Sequence, residues 1–375
     1  MSLKVIDVLK SKGEAYLEEA LNINIRRYED RLILNYDMIA SPTHHPISQE
    51  CRGLILSPGP EYKILCRSFK RFLNYPEDPN RDKFNINKAS CYEKIDGSLI
   101  NIYYDGIRWH PATRSMAYAE GQLCYNALKN FNMLVSEVLG GKVHEVVNPL
   151  FDKNNTYIFE VVSPESRVHA IYPNKDLYLL TIKNKFTGEE YLNDVPLLAK
   201  ELGVKVPRIY KFESLDHIVS VVKELPMLEE GYVCLIDREG TDPWRIKIKN
   251  PKFLASAGIR QSTMASPNNI IYLVMNAKWD DYLGIFPEDR ERFMPYIKAY
   301  HKLIKEIKHN WHMYSEIKNP KEFASKVKSL RCNGILFAMY NKKVTINEAI
   351  ADLREPAKIR LLNKYVERLD DRIEI

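Results

Sequence analysis

A change in hydrophobic period near residue 254 restricts the fold more than any other feature of this chain. Before it, short β-branched and aromatic runs alternate with turn signals. Ser98 to Tyr104 is followed by Asp105-Gly106, a favoured two-residue hairpin turn, and then by the run Ile107 to Thr113. Tyr157 to Val162, Tyr178 to Lys183 with its Thr187-Gly188 turn, Gly231 to Asp237 and Trp244 to Lys249 repeat the style, and helical periodicity intervenes near 115–140 and 192–202. After it, Phe293, Ile297, Tyr300, Ile304, Ile307 and Trp311 recur at three- and four-residue steps, with Lys298, Lys302, Lys305 and Lys308 on other faces. Thr345 and Glu348 form a capping-box pattern, and Pro356 is expected to limit the helix that follows it. The pattern predicts an α+β chain: a mixed, largely antiparallel domain over 1–254 and an all-helical domain over 255–375.

Charge follows the same division. Residues 1–254 carry 34 Lys and Arg against 34 Asp and Glu, whereas 255–375 carry 21 against 15, so the whole excess of +6 lies in the tail. That asymmetry points to a polyanionic partner for the tail, although a solvated helical surface gives the same count. The six cysteines, at 51, 66, 91, 124, 234 and 332, show no CxxC or Cys/His ligand spacing and read as reduced thiols, with neither a disulfide framework nor a zinc site. Charges interrupt the first seventeen residues and no apolar run approaches a bilayer span, so neither secretion nor a membrane anchor is expected, and the location reads as cytoplasmic.

The chemistry centres on Lys94-Ile95-Asp96-Gly97-Ser98, which sets an amine three residues before a glycine, between apolar runs. A charged turn would look the same in isolation. In the strand Trp244 to Lys249, Lys247 and Lys249 share one face and Ile246 and Ile248 the other, so one face is cationic and suits phosphate oxygens. A nucleophilic lysine needs its pKa lowered from about 10.4. Neighbouring cations and desolvation act in that direction, and a three-unit depression corresponds to about 4 kcal/mol. Glu160 and Glu230, each on a strand or just before one, supply carboxylates for a metal or for orienting phosphates.

The order of segments carries more than any one of them. Glu50-Cys51-Arg52-Gly53, Lys94-Ile95-Asp96-Gly97-Ser98, Phe159-Glu160, Leu179-Leu180-Thr181-Ile182-Lys183, Glu230-Gly231-Tyr232-Val233 and Lys247-Ile248-Lys249 follow in that sequence. This resembles the covalent nucleotidyltransferase superfamily of polynucleotide ligases and capping enzymes. Within it the chain is most similar to the bacteriophage RNA ligase 1 family, through the ECRG tetrapeptide, the KxDGSL form of the lysine motif, Arg114, and the Phe159 to Pro164 stretch with Arg167. A helical tail fits that branch, whereas DNA ligases and capping enzymes are expected to continue into an OB-fold.

The resemblance implies an antiparallel-sheet, ATP-grasp-like nucleotidyltransferase domain and a three-step reaction. Lys94 would take AMP from ATP, pass it to an RNA 5′-phosphate, and a 3′-hydroxyl would then displace it. Lys247 and Lys249 would neutralise the α-phosphate, and Arg52 would hold phosphate or ribose. Glu160 and Glu230 would meet the ribose or a hydrated Mg²⁺ or Mn²⁺, with Arg114 also in the nucleotide pocket. Relatives tend to carry Lys-Phe-Phe-Asn between the first two motifs. Here Phe69-Lys70-Arg71-Phe72-Leu73-Asn74 places Arg71 where lysine is expected and Leu73 where an aromatic is expected. Lys70 or Arg71 can still reach a phosphate, with Phe72 beside them. Phe253 reads as core, with a wall of the pocket as the alternative.

The same resemblance implies single-stranded RNA or tRNA with 5′-phosphate and 3′-hydroxyl ends as partner, repair as the task, and the host cytoplasm as the location if the source is a phage. It leaves the oligomeric state open; a part for 255–375 in RNA choice is expected from the charge of the tail alone. A nick-sealing ligase of the same superfamily and a non-catalytic RNA-binding relative are the alternatives.

Overall fold

The computed structural model describes residues 3–366 apart from 39, 124–125, 169, 171, 227, 257–266 and 284–288, and gives backbone alone for 254–256. The chain separates into two compact units, residues 1–258 and 259–375. The first is a mixed unit of short helices and largely antiparallel sheets, with Leu73–Asn74 parallel to Trp244–Lys249 at one edge, and the second is helical throughout its described residues.

Among the described residues of the first unit, fifteen strands make up the sheets. The first four, β1 (Ile23–Arg27), β2 (Leu32–Tyr36), β3 (Arg52–Leu56) and β4 (Ile64–Cys66), form one antiparallel sheet in chain order. The next are β5 (Leu73–Asn74), β6 (Ser90–Glu93), β7 (Ser98–Tyr104), β8 (Trp109–Ala112), β9 (Gln122–Leu123) and β10 (Asn126–Asn130). The last are β11 (Asn155–Val162), β12 (Asp176–Asn184), β13 (Ile209–Tyr210), β14 (Gly231–Ile236) and β15 (Trp244–Lys249). A second sheet runs β12-β11-β7-β8, a third runs β13-β6-β14-β15-β5, and β9 and β10 form a separate ribbon.

Alternation along each strand sorts the cores. On β7, Ile100 and Ile102 join Phe159, Val161, Leu177 and Leu179 beneath the helices Phe131–Val138, Val143–Val147 and Val195–Leu202. Its opposite face sends Tyr103 to Ile33, Ile55 and Cys66 of the first sheet. Sheet one then buries Leu32, Leu34 and Leu54 against the N-terminal helix Lys4–Ala20. Both faces of the second sheet are therefore covered, which is why β11 is buried along almost its whole length.

Three local expectations need correction. Among the described residues of 115–140 the helix is Phe131–Val138 alone; Gln122–Leu123 and Asn126–Asn130 form the two-stranded ribbon, and Asn130 closes it by accepting a hydrogen bond from the Met133 amide at 2.9 Å. The strand after the Asp105-Gly106 turn resumes at Trp109, because the Asp105 carboxylate accepts the amides of Ile107 and Arg108 and extends the turn, leaving Ile107 82% exposed. Cys91 and Cys234 are joined as a disulfide between directly opposed positions of β6 and β14, 143 residues apart in the chain, where no local spacing signals it. Cys51, Cys66 and Cys332 are buried free thiols, and Cys124 lies outside the described residues.

In the second unit, Arg290–Tyr314 buries Phe293, Ile297, Tyr300, Leu303, Ile304 and Ile307 along one stripe, while Lys298, Lys302 and Lys305 are exposed. Thr345 and Glu348 cap Ile346–Ala351 reciprocally. That helix ends before Pro356, which instead opens the next one, Glu355–Asn363, where its missing N–H costs nothing. No described helix is long and apolar enough to cross a membrane.

Candidate active site

Lys94 follows β6 at once, and Glu230 immediately precedes its antiparallel neighbour β14, so the pairing of those strands brings the two residues together. The Lys94 amide donates to the Gly231 carbonyl at 2.9 Å, and its Nζ lies 2.6 Å from Glu230 Oε2. The other oxygen of Glu230 takes Lys249 Nζ at 3.1 Å, because Lys249 faces Gly231 across β14 and β15. Only glycine fits at 231: its φ is 130°, and a side chain would strike the Ile248 carbonyl. Asn250 fixes the approach to Glu230, donating from its side-chain amide to the carbonyls of Pro226 and Glu229 at 2.9 Å each.

The turn that presents Lys94 is pinned at each following residue. Ile95 is buried, the Asp96 carboxylate accepts the Ala170 amide at 2.7 Å, and the Gly97 amide donates to Glu160 Oε1 at 3.3 Å. Glu160 is carried in by β11, opposite Leu99 of β7. Burial pushes its carboxyl up to about 7; Glu230 adds to this, while Lys94 and Arg52 oppose it.

Beside this acid pair lies a cradle of cations. Arg52 opens β3, Arg71 precedes β5, and Arg114 follows β8. The guanidinium carbons of Arg71 and Arg114 each lie 4.4 Å from the Tyr36 ring centre, and Arg52 is coupled electrostatically to Tyr36. Burial pushes the Tyr36 phenol up, but Arg114, Arg52, Arg71 and Lys247 outweigh it and hold the group below its ordinary value. Burial also lowers Arg52, against the pull of Tyr36 and Glu160. Phe72 roofs the cradle, with Arg52 5.4 Å and Lys247 5.7 Å from its ring centre. One Nη of Arg52 and one of Arg71 are buried without a hydrogen-bond partner among the described residues. Buried donors without acceptors mark a place for an anion.

Residues 50–253 match the family described as RNA ligase. The chain belongs to the RNA ligase family. A relative from Autographa californica nuclear polyhedrosis virus, named as a bifunctional polynucleotide kinase/RNA ligase, is 29% identical over 97% of this chain and 53% of its own length. The chain thus spans about half of that relative. An RNA ligase of Rhodothermus phage RM378 is 22% identical over 73% of this chain and 76% of its own. Among solved structures, an archaeal ATP-dependent RNA ligase aligns over 87% of this chain and 89% of its own at 12% identity, with a TM-score of 0.47.

In this RNA ligase family chain the ECRG tetrapeptide divides its work. Glu50 accepts the Val5 amide at 2.9 Å, Cys51 is core, Arg52 enters the cradle, and Gly53, at φ 73°, lets the backbone pass the Arg114 carbonyl. Lys94, Glu230 and Lys249 meet in one contact set, to which Glu160 is joined through the Gly97 amide, and Arg52, Arg71, Phe72, Arg114 and Lys247 lie in the adjoining one. Lys70 stands apart: it pairs with Asp242 at 2.9 Å inside a cavity of about 580 Å³ that also touches Arg71 and Phe72, but none of Lys94, Glu160, Glu230, Lys247 or Lys249 lines it. Leu73 and Phe253 are buried core residues.

Sequence reasoning missed Tyr36 and Asn250. An aromatic ending the run Leu32 to Tyr36 reads as core, whereas an Asn between a strand and Pro251 is a turn signal that could have been pursued.

Proposed function

We propose that this chain is an ATP-dependent RNA ligase that joins 5′-phosphate and 3′-hydroxyl RNA ends through an AMP carried on Lys94. The observation that carries the reading is the Lys94–Glu230–Lys249 set beside a carboxylate-poor cradle with orphaned guanidinium donors. In the first step the Lys94 ammonium gives its proton to solvent and leaves Glu230, and the amine forms the nitrogen–phosphorus bond to the α-phosphate as the bond to pyrophosphate breaks. Lys247 and Lys249 offset charge that builds on the α-phosphate, and Arg52 and Arg71 hold the departing pyrophosphate. AMP then passes to an RNA 5′-phosphate, and a 3′-hydroxyl displaces it to form the phosphodiester. Phe72 and Arg114 bound the pocket on the nucleotide side.

A divalent cation suits the acid pair, since burial raises the Glu160 carboxyl and the neighbouring Glu230 adds to the cost of its charge. Mg²⁺ or Mn²⁺ held there through water would neutralise phosphate charge. Among the described residues no set of three or more His, Cys, Asp or Glu gathers as a closed metal cage, and Mg²⁺ needs none when phosphates share its coordination. The helical unit, with its excess of positive charge, is assigned to RNA choice. The test is a joining assay with single-stranded RNA against nicked duplexes in the presence of ATP; sealing of the nick alone, or no joining at all, would overturn the reading.

Two further results are expected. A Cβ at Gly97 would run into the Val161 carbonyl and come within 3.0 Å of Glu160 Cγ, so the Lys94 turn must move away from β11 in Gly97→Ala. Displacement by about 1 Å costs roughly 10²-fold. Single-turnover transfer of α-labelled AMP should fall by that order with the circular dichroism spectrum unchanged; a wild-type rate would show that the turn tolerates the shift.

The second concerns pH. The folded carboxyl of Glu160 titrates near 7 and the unfolded one near 4.5, so the folded chain binds the extra proton between those values. Its contribution to stability is complete below pH 4.5 and is lost as pH rises through 7, by about 1–3 kcal/mol once its partial exposure is allowed for. Glu160→Gln should remove that slope from a series of urea unfolding curves, and an unchanged slope would place the titration elsewhere.

A further inference from the structure

A second cavity, also about 580 Å³, lies in the first unit away from the site just described. Its size is within the roughly 300–1,000 Å³ of pockets that take small organic ligands. The N-terminal helix, the β3–β4 loop, the β7–β8 turn and the chain on either side of β11 and β12 enclose it. Tyr104 of β7 and Phe186 form part of its apolar wall, and Lys63, Lys153 and Lys185 line it as well.

Glu160 faces Leu99 on β7, and Tyr104 is five residues further along that strand. The two places are therefore about 17 Å apart at ~3.3 Å per residue.

Lys185 is the informative group. It is only 7% exposed, yet among the described residues its amine has neither a carboxylate within ion-pair distance nor a hydrogen-bond acceptor; the Phe186 ring, 5.4 Å away, is its recorded contact. A buried ammonium without an anion is costly, and lysine is seldom kept in such a place without one. The acids nearby are otherwise engaged. Asp105 is taken by Arg31 and His110, Asp152 accepts the Asn154 amide, and Glu61 lies 3.6 Å from Lys10. Burial accordingly lowers the Lys185 amine from its ordinary value.

We propose that this cavity is a second RNA subsite, which takes one nucleotide of a single strand with its base against Tyr104 and Phe186 and its phosphate at Lys185, while Lys63 and Lys153 flank it. Aromatic faces beside lysines are the combination that single-stranded nucleic acid requires, since every base stacks and every phosphate seeks a cation. RNA is chosen over other nucleotide chains on the strength of the ligase reading. The binding itself needs no catalysis.

The experiment is fluorescence polarisation of the full chain with an end-labelled, single-stranded oligoribonucleotide over a salt series. Lys185→Met keeps the length of the side chain and removes the charge. It should weaken RNA binding roughly tenfold and reduce the log–log salt slope by about 0.7, the loss of one phosphate contact. Its melting temperature should stay level or rise, because an unpaired buried charge has gone. The exposed pair Lys63→Ala/Lys153→Ala, which leaves the core untouched, should lower affinity in the same direction. Wild-type affinity and slope in Lys185→Met overturn the proposal. If the ligase reading alone is wrong, the wild-type chain takes no label from ATP while the effect of Lys185→Met on RNA affinity remains.

Discussion

Lys94→Ala is expected to gain no label when incubated with α-labelled ATP and a divalent cation and run on a denaturing gel. Wild type should carry one covalent AMP, and the loss should be roughly 10⁴-fold or more, since no other group replaces a deleted nucleophile. Lys249 cannot stand in for it: its side chain is 8% exposed and its amine is held by the same Glu230. Nor should the substitution unfold the chain. Glu230 keeps Lys249 as its partner, and the Lys94 side chain is 21% exposed, so alanine leaves neither an orphaned carboxylate nor a closed void. Lys94→Arg should fail equally, because a guanidinium stays protonated and is no nucleophile. Equal labelling of wild type and Lys94→Ala would move the covalent chemistry to another residue.

Two kinds of signal in the chain differ in range. Strand alternation and the turn at Asp96-Gly97 are local, and so the placement of Lys94 between β6 and β7, and the shared face of Lys247 and Lys249, could be read from spacing alone. Contacts that arise only when sheets meet could not. Tyr36 becomes the hub of the guanidinium cradle because β2 is brought near Arg71 and Arg114, and nothing within its own strand distinguishes it from a core aromatic. The Cys91–Cys234 pairing depends likewise on the register of β6 against β14. The ribbon of β9 and β10 was hidden for a different reason. Its residues satisfy a helical period about as well as an extended one, and Leu128, 92% exposed, supports neither face as buried; the local cue was Asn130, a helix cap.

The site also depends on a buried ion network centred on Glu190, which lies in none of the ordered segments, and breaking it should give the largest loss of stability. Glu190 is fully buried. It meets Lys183 at 3.1 Å, takes Arg245 in a two-armed pair whose Nη1 contact is 2.9 Å, and accepts the Thr181 hydroxyl at 2.7 Å. Lys183 also pairs with Asp242, which in turn meets Arg67 at 2.7 Å and Lys70 at 2.9 Å. Six charges thus tie β12 to β15, and Arg245 stands on the same strand face as Lys247 and Lys249.

Glu190→Ala would leave Lys183 with Asp242 but strand the Arg245 guanidinium against the Phe69 ring, 4.6 Å from its centre, with no carboxylate recorded beside it among the described residues. Removing one partner of such a buried set costs about 3–5 kcal/mol. For a unit of this size that is a fall in melting temperature of about 10 °C. The cations hold the Glu190 carboxyl below its ordinary value against burial, so the network's contribution is present above the unfolded carboxyl value and lost as pH falls through the folded one. The gap between wild type and Glu190→Ala should therefore narrow in acid. Unfolding curves at neutral and acid pH would measure it, and a loss below about 1 kcal/mol at neutral pH would mean that Arg245 finds another anion. Because β15 carries Lys247 and Lys249, the lysines proposed to meet the α-phosphate, the same substitution should slow AMP transfer in the fraction that remains folded, which would tie the stability of this network to the chemistry proposed for Lys94.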